Sequence, residues 1–251
     1  MLESKGLMPF QLPFVREEVG AKCLHFSHGA LQSRMRLRDP RALDVDYTRT
    51  MMGFLLLNNS PKSIAMIGLG GGSLVKFCYW QLPATVITVA EINPHVIGLR
   101  KEFCVPDDDD RLQVIEADGA DFIRSYSGEY DVLLVDGFDL HGQAASLCSQ
   151  GFYEDCSRAL SPRGVMMVNL HSDHPDHELF VKRINRGFGE KVVEMRAATG
   201  NNSIVMAAKV SNIPSALLDI HTSLAHLNTT GYRQLKPEFG RLLWHLRGSL
   251  F

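Results

Sequence analysis

The stretch Ser63-Ile-Ala-Met-Ile-Gly-Leu-Gly-Gly-Gly-Ser-Leu74 decides how the rest of the chain is read. A short apolar run ends in Gly68, Gly70, Gly71 and Gly72, and a helical pattern follows. This predicts a strand running into a glycine loop at a helix N-terminus, where the main chain bends sharply and a ligand can touch it. The dinucleotide signature G-x-G-x-x-G needs glycine at its sixth position, and Ser73 stands there instead. The next apolar run, Val86 to Glu91, ends on an acid nineteen residues past Gly72. That is close to the ~20 expected for a carboxylate on ribose hydroxyls. Loop and acid together indicate an adenosine-containing ligand in an α/β fold and lean away from a nicotinamide dinucleotide.

Outward from this point, strand and helix patterns alternate. Apolar, β-rich runs fall at 64–68, 86–91, 112–116, 131–136, 164–170, 191–196 and 203–209, with helical patterns at 72–80, 94–103, 119–125, 149–160 and 176–188. Such alternation implies a mainly parallel sheet covered by helices on both faces. Only Arg196 to Asn202 joins the last two strands, which makes them an antiparallel pair. Upstream, Lys22–Phe26 and Leu31–Leu37 read as a hairpin around Ser27-His28-Gly29, and 46–57 as a helix. Residues 213–228 read as a final helix. The division expected is a small hairpin-and-helix region over 1–62, a nucleoside-binding core over 63–212, and a helix and tail over 213–251 packed on it. The acidic run Asp107 to Asp110 reads as a solvated turn.

At 251 residues the chain is long enough for one large α/β domain and a small appendage. A net charge of −2 carries no basic excess and excludes an electrostatic nucleic-acid footprint. Five cysteines, none in C-x-x-C spacing, read as reduced thiols. The N-terminus lacks the basic-then-apolar order of a signal peptide, and no apolar run reaches the ~18 residues of a membrane span. The expectation is a cytoplasmic protein acting on small molecules, without a membrane or nucleic-acid partner.

In open parallel sheets ligands lie beyond the carboxyl ends of the strands. The polar residues ending these strands are therefore the site candidates: Gly68–Gly72, Glu91, Asp118, Asp136 with Asp139, and Asn169 with His171. Glu91 offers a carboxylate to two vicinal hydroxyls, or a cap to the helix that Pro94 starts. Asp118 offers an acceptor for an adenine amine, or a cap for the helix from Gly119. Four apolar residues deliver Asp136 to the sheet edge, and Asp139 follows three residues later. Paired carboxylates there can hold an ammonium, attract a cationic sulfonium, or take a proton from an attacking nucleophile. His171-Ser-Asp-His-Pro-Asp-His177 has the residues of a metal cluster, but Pro175 interrupts the register and the histidine spacing is not that of zinc sites. A polar loop over the site mouth and no metal is the expectation. The G-x-S-x-G elbow of a serine hydrolase is absent.

In order along the chain stand Ile67-Gly-Leu-Gly-Gly-Gly72, Glu91-Ile-Asn-Pro-His-Val96, Glu116-Ala-Asp-Gly-Ala-Asp-Phe122 and Tyr130-Asp-Val-Leu-Leu-Val-Asp-Gly-Phe-Asp139. Leu147, Gly151-Phe-Tyr-Glu154 and Ala159-Leu-Ser-Pro-Arg-Gly-Val165 follow. This series, over roughly residues 45 to 210, resembles the spermidine synthase (polyamine aminopropyltransferase) family, which has the class I methyltransferase, Rossmann-like fold. The resemblance implies a seven-stranded sheet that binds decarboxylated S-adenosylmethionine and releases methylthioadenosine. It implies a nucleoside-binding set of Gly68, Gly70, Gly71, Gly72, Glu91, Ile92, Asp118, Gly119 and Asp136. Asp136 would be the base, with Asp139 beside it, and Tyr47 would be a contact to the amine acceptor. An amine acceptor is implied, and a homodimer is compatible with the family's oligomer-forming N-terminal β domain.

The chain departs from that pattern in three places. The family's loop aspartate, which grips the aminopropyl ammonium, is replaced by Gly71 or Gly72. The family's Tyr-His-Glu before the first core strand is Tyr47-Thr-Arg49 here, which reverses a charge near the acceptor. The N-terminal region is also short. An S-adenosylmethionine-dependent methyltransferase, with Arg49 on the donor carboxylate or on an acidic acceptor, is the alternative these changes leave open. A non-catalytic adenosine-binding relative is a further one.

Overall fold

A computed structural model describes residues 10–27, 30–139, 142–189, 192–209 and 219–249. The chain opens with an antiparallel sheet of three strands, β1 (Phe14–Glu18), β2 (Ala21–Ser27) and β3 (Ala30–Arg36). The sequence pattern predicts only the last two. β1 is mostly exposed and lacks the apolar alternation that would mark it. Of the expected hairpin turn, His28 and Gly29 lie outside the described residues.

A short helix, α1 (Asp46–Met51), runs on as a 3-10 turn over Met52–Leu56. The expected boundary at residue 62 groups this segment with the small sheet. Its Met51, Met52, Phe54 and Leu55 are fully buried in one apolar cluster that holds core residues together with Leu24 and Met35 of the small sheet.

The core is a seven-stranded sheet. In chain order its strands are β4 (Ser63–Ile67), β5 (Val86–Glu91), β6 (Leu112–Glu116), β7 (Tyr130–Val135), β10 (Leu160–His171), β11 (Val192–Arg196) and β12 (Asn202–Ala208). The two-residue strands β8 (Phe138–Asp139) and β9 (Gly142–Gln143) pair as a separate ribbon. The spatial order is β11-β12-β10-β7-β4-β5-β6. All pairs from β10 to β6 are parallel, while β12 runs antiparallel to both β10 and β11. This is the α/β, class I methyltransferase-type sheet that the alternation and the resemblance lead one to expect. In β4, Ile64 and Met66 enter one apolar core while Ala65 and Ile67 enter the other, so the strand alternation builds a core on each face.

Helices α2 (Ser73–Gln81), α3 (Pro94–Gly98), α4 (Gly119–Arg124), α5 (Gln150–Ala159) and α6 (His177–Phe188) form the connections. α3 ends at Gly98, short of the expected 103, and the chain then turns towards Cys104, a non-glycine residue at φ 55°. Of the expected final helix, 213–218 lie outside the described residues, and the described part holds α7 (Ile220–Leu224).

The last element is a long helix, α8 (Thr229–Ser249). Gly231, Pro237 and Gly240 disguise it as a tail in the sequence. Its apolar stripe nevertheless has helical spacing: Leu235, Phe239, Leu242 and Leu246 are all fully buried. Thr50 of α1 and Arg241 both donate to the buried Glu238 carboxylate, and Arg241 also reaches the Arg196 carbonyl at 2.7 Å. Arg241 is thereby tied to the core.

The acidic run is more than a solvated turn. Asp109 accepts from the Arg111 and Leu112 backbone N–H groups, both at 2.8 Å, and Asp108 pairs with Arg100. No helix among the described residues is long and apolar enough to cross a membrane.

Candidate active site

The carboxyl ends of β4, β5 and β7 meet around a cavity of about 560 Å³. Gly68 explains how the backbones come so close. Its φ is +93°, its N–H donates to the Ala90 carbonyl at 2.9 Å, and a Cβ there would sit 2.3 Å from the Asp136 carbonyl oxygen. Only glycine fits both demands. Gly68 and Gly70 line the cavity. Gly71 and Gly72 do not: they turn the chain into α2, with their Cβ directions closed by Ser33 and Val105 respectively. Ile92, Asp118 and Gly119 line it beside Glu91.

Glu91 is 8% exposed and accepts the backbone N–H of Leu69 at 2.8 Å and of Asn93 at 2.9 Å, one on each oxygen. Burial pushes its pKa up, and these backbone donors pull against that rise. The cap of α3 is Asn93, which accepts from the His95 N–H, so Glu91 is not used as that cap. Asp118 does cap its helix: Oδ1 accepts from Ala120 N at 2.7 Å and Asp121 N at 3.2 Å. It also faces the cavity, and a carboxylate has a second oxygen to offer there.

Asp136 follows directly on β7. The Tyr47 hydroxyl donates to its Oδ2 at 2.9 Å, and Asn169 Nδ2 donates to its Oδ1 at 2.9 Å. The cavity opens on the carboxylate, which is otherwise packed round by protein. Burial raises its pKa, against the lowering effect of the two donors and of nearby His171. Tyr47 is pushed well above the ordinary phenol value by burial and by the Asp136 charge, so it stays a donor. Asp139 pairs with Gly142 across the β8–β9 ribbon; its side chain lies outside the described residues.

Arg49 does not face the ligand space. Its guanidinium donates to the Leu43 and Asp44 carbonyls, and Thr48 lines the cavity instead. No lysine, arginine or histidine is among the described lining residues, which carry three carboxylates: Glu91, Asp118 and Asp136. The histidine-rich loop has other partners. His171 stacks on Phe138, His174 accepts from the Asp176 N–H, and His177 meets Glu194 at 2.9 Å.

The wall the sequence does not announce is the small sheet. Leu24, Phe26, Gln32 and Ser33 close one side of the cavity, and Asn93 ties it down by donating to the Gln11 carbonyl at 2.9 Å. Nothing in residues 24–33 distinguishes a site wall from a plain hairpin. Asn169, by contrast, is visible from its place at a strand end.

A methyltransferase-type sheet with Glu91 and Asp136 at the switch point of its strand order has the architecture of a nucleoside-binding transferase. Residues 45–196 match the spermine/spermidine synthase domain. The polyamine aminopropyltransferase of Chromobacterium violaceum is 42% identical over 198 residues, covering 78% of this chain and 76% of the relative. The chain belongs to the spermine/spermidine synthase family and is a transferase of the aminopropyltransferase type. Among solved structures, a spermidine synthase in complex with the transition-state analogue AdoDATO superposes with a TM-score of 0.63 at 20% identity, over 89% of this chain and 87% of that one. Human methyltransferase-like protein 13 in complex with SAH gives 0.63 at 24%, over 78% and 92%. Both likenesses concern the fold.

Proposed function

We propose that this chain transfers the aminopropyl group of decarboxylated S-adenosylmethionine to an amine, releasing methylthioadenosine. The observation that carries this reading is the charge of the cavity: three carboxylates and no cation among its described lining residues. A donor with an amino-acid carboxylate would bring a fourth negative charge with nothing to pair it, whereas a donor bearing a sulfonium and an ammonium suits the field. With Arg49 turned onto backbone carbonyls, the methyltransferase alternative loses the partner it needs.

In this reading Glu91 holds the ribose hydroxyls, Asp118 the adenine end, and the Gly68–Gly70 backbone the middle of the donor. The neutral acceptor nitrogen attacks the methylene beside the sulfonium. The N–C bond forms as the C–S bond breaks, and the bonding pair stays on sulfur as a thioether. Asp136 takes the surplus proton from the nitrogen, and burial makes it a stronger base than an exposed aspartate. Tyr47 and Asn169 hold its two oxygens in place. Asp139, next along the chain, is proposed as a second anion for the acceptor. A homodimer is proposed from the family alone.

Calorimetric titration with decarboxylated S-adenosylmethionine, S-adenosylmethionine and methylthioadenosine tests the reading. Preference for the decarboxylated donor, with methylthioadenosine released on adding a linear diamine or polyamine, supports it. Preference for the intact donor, or methyl transfer, overturns it.

A further inference from the structure

Behind Asp136 lies an ordered pair of amides. Asn169 on β10 donates from Nδ2 to Asp136 Oδ1 at 2.9 Å, and Asn202 on β12 donates from Nδ2 to Asn169 Oδ1 at 3.0 Å. In the antiparallel register Asn169 stands opposite Ile204 and His171 opposite Asn202, so the two asparagines are diagonal neighbours on one face. A carboxylate only accepts hydrogen bonds, so Asn169 must turn its NH₂ to Asp136. Its carbonyl is then left inside the protein, where Asn169 is 1% exposed, and needs a donor. Asn202 is that donor. Without it the Asn169 amide is free to turn its oxygen to Asp136 once that carboxyl is protonated and can itself donate.

We propose that Asn202 is a positioning residue for the transfer reaction, fixing through Asn169 the amide polarity that keeps a donor on Asp136. This rests on Asp136 being the base. Removing the lock leaves the Asn169 carbonyl unpaired while Asp136 is ionised and gives the protonated carboxyl an acceptor, so Asp136 protonates at higher pH. Other titratable groups face the same carboxylate: Tyr47 from α1 and His171 from the end of β10, with Asp173 and His174 acting on His171 in turn. Glu91 shares the cavity.

The test uses the full-length protein with Asn202→Leu, which keeps the branched shape and deletes the donor, and Asn202→Asp, which puts an acceptor in its place. Affinity for decarboxylated S-adenosylmethionine is measured against pH; its loss on acidification reports protonation beside the cationic donor and needs no acceptor. The midpoint of that loss is expected to move up by about one pH unit in both variants. Above the midpoint, affinity stays near wild type and the melting temperature falls only by the lost hydrogen bond to the Asn169 carbonyl, whereas a general structural defect would lower affinity at every pH. Repeating the measurement in a His171→Asn background separates imidazole titration from that of Asp136, and the shift is expected to persist there. A midpoint unmoved in a folded Asn202 variant overturns the proposal, and the Asp variant carries the test if the Leu variant does not fold. Asp136→Asn distinguishes the two failures. Undiminished turnover in that variant removes the base itself, whereas lost turnover with unmoved Asn202 midpoints removes the amide relay alone.

Discussion

Asp136 combines a half-buried carboxylate with two donors and an opening onto the cavity, an arrangement that favours reactivity over stability. Asp136→Asn is expected to cut turnover by roughly 10²–10⁴ while nucleoside affinity stays nearly intact, as initial rates and calorimetry would read. The same variant is expected to melt at a higher temperature than wild type at neutral pH. The sign follows from the raised pKa: above it the folded state holds a desolvated charge that the unfolded state leaves in water. The gain should vanish as pH falls below the ordinary aspartate range, where both states are protonated. Glu91→Ala is expected to weaken methylthioadenosine binding at least tenfold, about 1.4 kcal/mol. Unchanged affinity would remove Glu91 from the ribose. Glu91 and Asp136 are legible in the sequence because each closes an apolar run, which places it at the carboxyl edge of a parallel strand. Tyr47 is reached only through the family resemblance, since nothing in its neighbours tells that its hydroxyl spans 89 positions to Asp136.

At the level of elements, the seven core strands follow from apolar runs and fall within a few residues of their expected limits. Two elements escape such reading for opposite reasons. β1 is an edge strand whose exposed side chains give no alternation. α8 has a clear apolar stripe, but Pro237 and two glycines break the local propensity, and tertiary burial overrides them. Because that burial is what holds α8, Phe239→Ala is expected to cost about 3–5 kcal/mol in urea unfolding. A loss below about 1 kcal/mol would mean that α8 is not integral to the core. The division of the chain is also an element-scale matter: the fully apolar run Met51–Leu56 belongs beneath β10 and β12, and its place was hidden because its neighbours come from more than 100 residues downstream.

For the molecule as a whole, one buried cation sits apart from the site. Lys76 on α2 is 1% exposed, donates to the Phe103 carbonyl at 2.7 Å, and is lowered by burial to a pKa of about 8. A lysine with a depressed pKa destabilises the fold wherever both states are charged, which is below about pH 8. Lys76→Met is therefore expected to stabilise the protein by about 2 kcal/mol at pH 7, after allowing for the orphaned carbonyl. That gain should shrink as pH rises from about 8 towards the ordinary lysine value. Denaturant midpoints at pH 7 and pH 10 would check it, and a gain equal at both would contradict the assignment.

The anionic, cation-free lining of the cavity has a consequence for what else the protein meets in a cell. Adenine and ribose are presented by nucleotides far more abundant than any sulfonium donor, and an adenosine pocket is exposed to competition from all of them. In the proposed binding mode a phosphate chain on the 5′ carbon would point towards Asp136, with no lysine, arginine or histidine among the described lining residues to receive it. Repulsion of that kind acts before contact and rejects the triphosphate without any steric gate. The pocket is thus selective by charge sign, and ATP at millimolar levels should leave donor binding untouched.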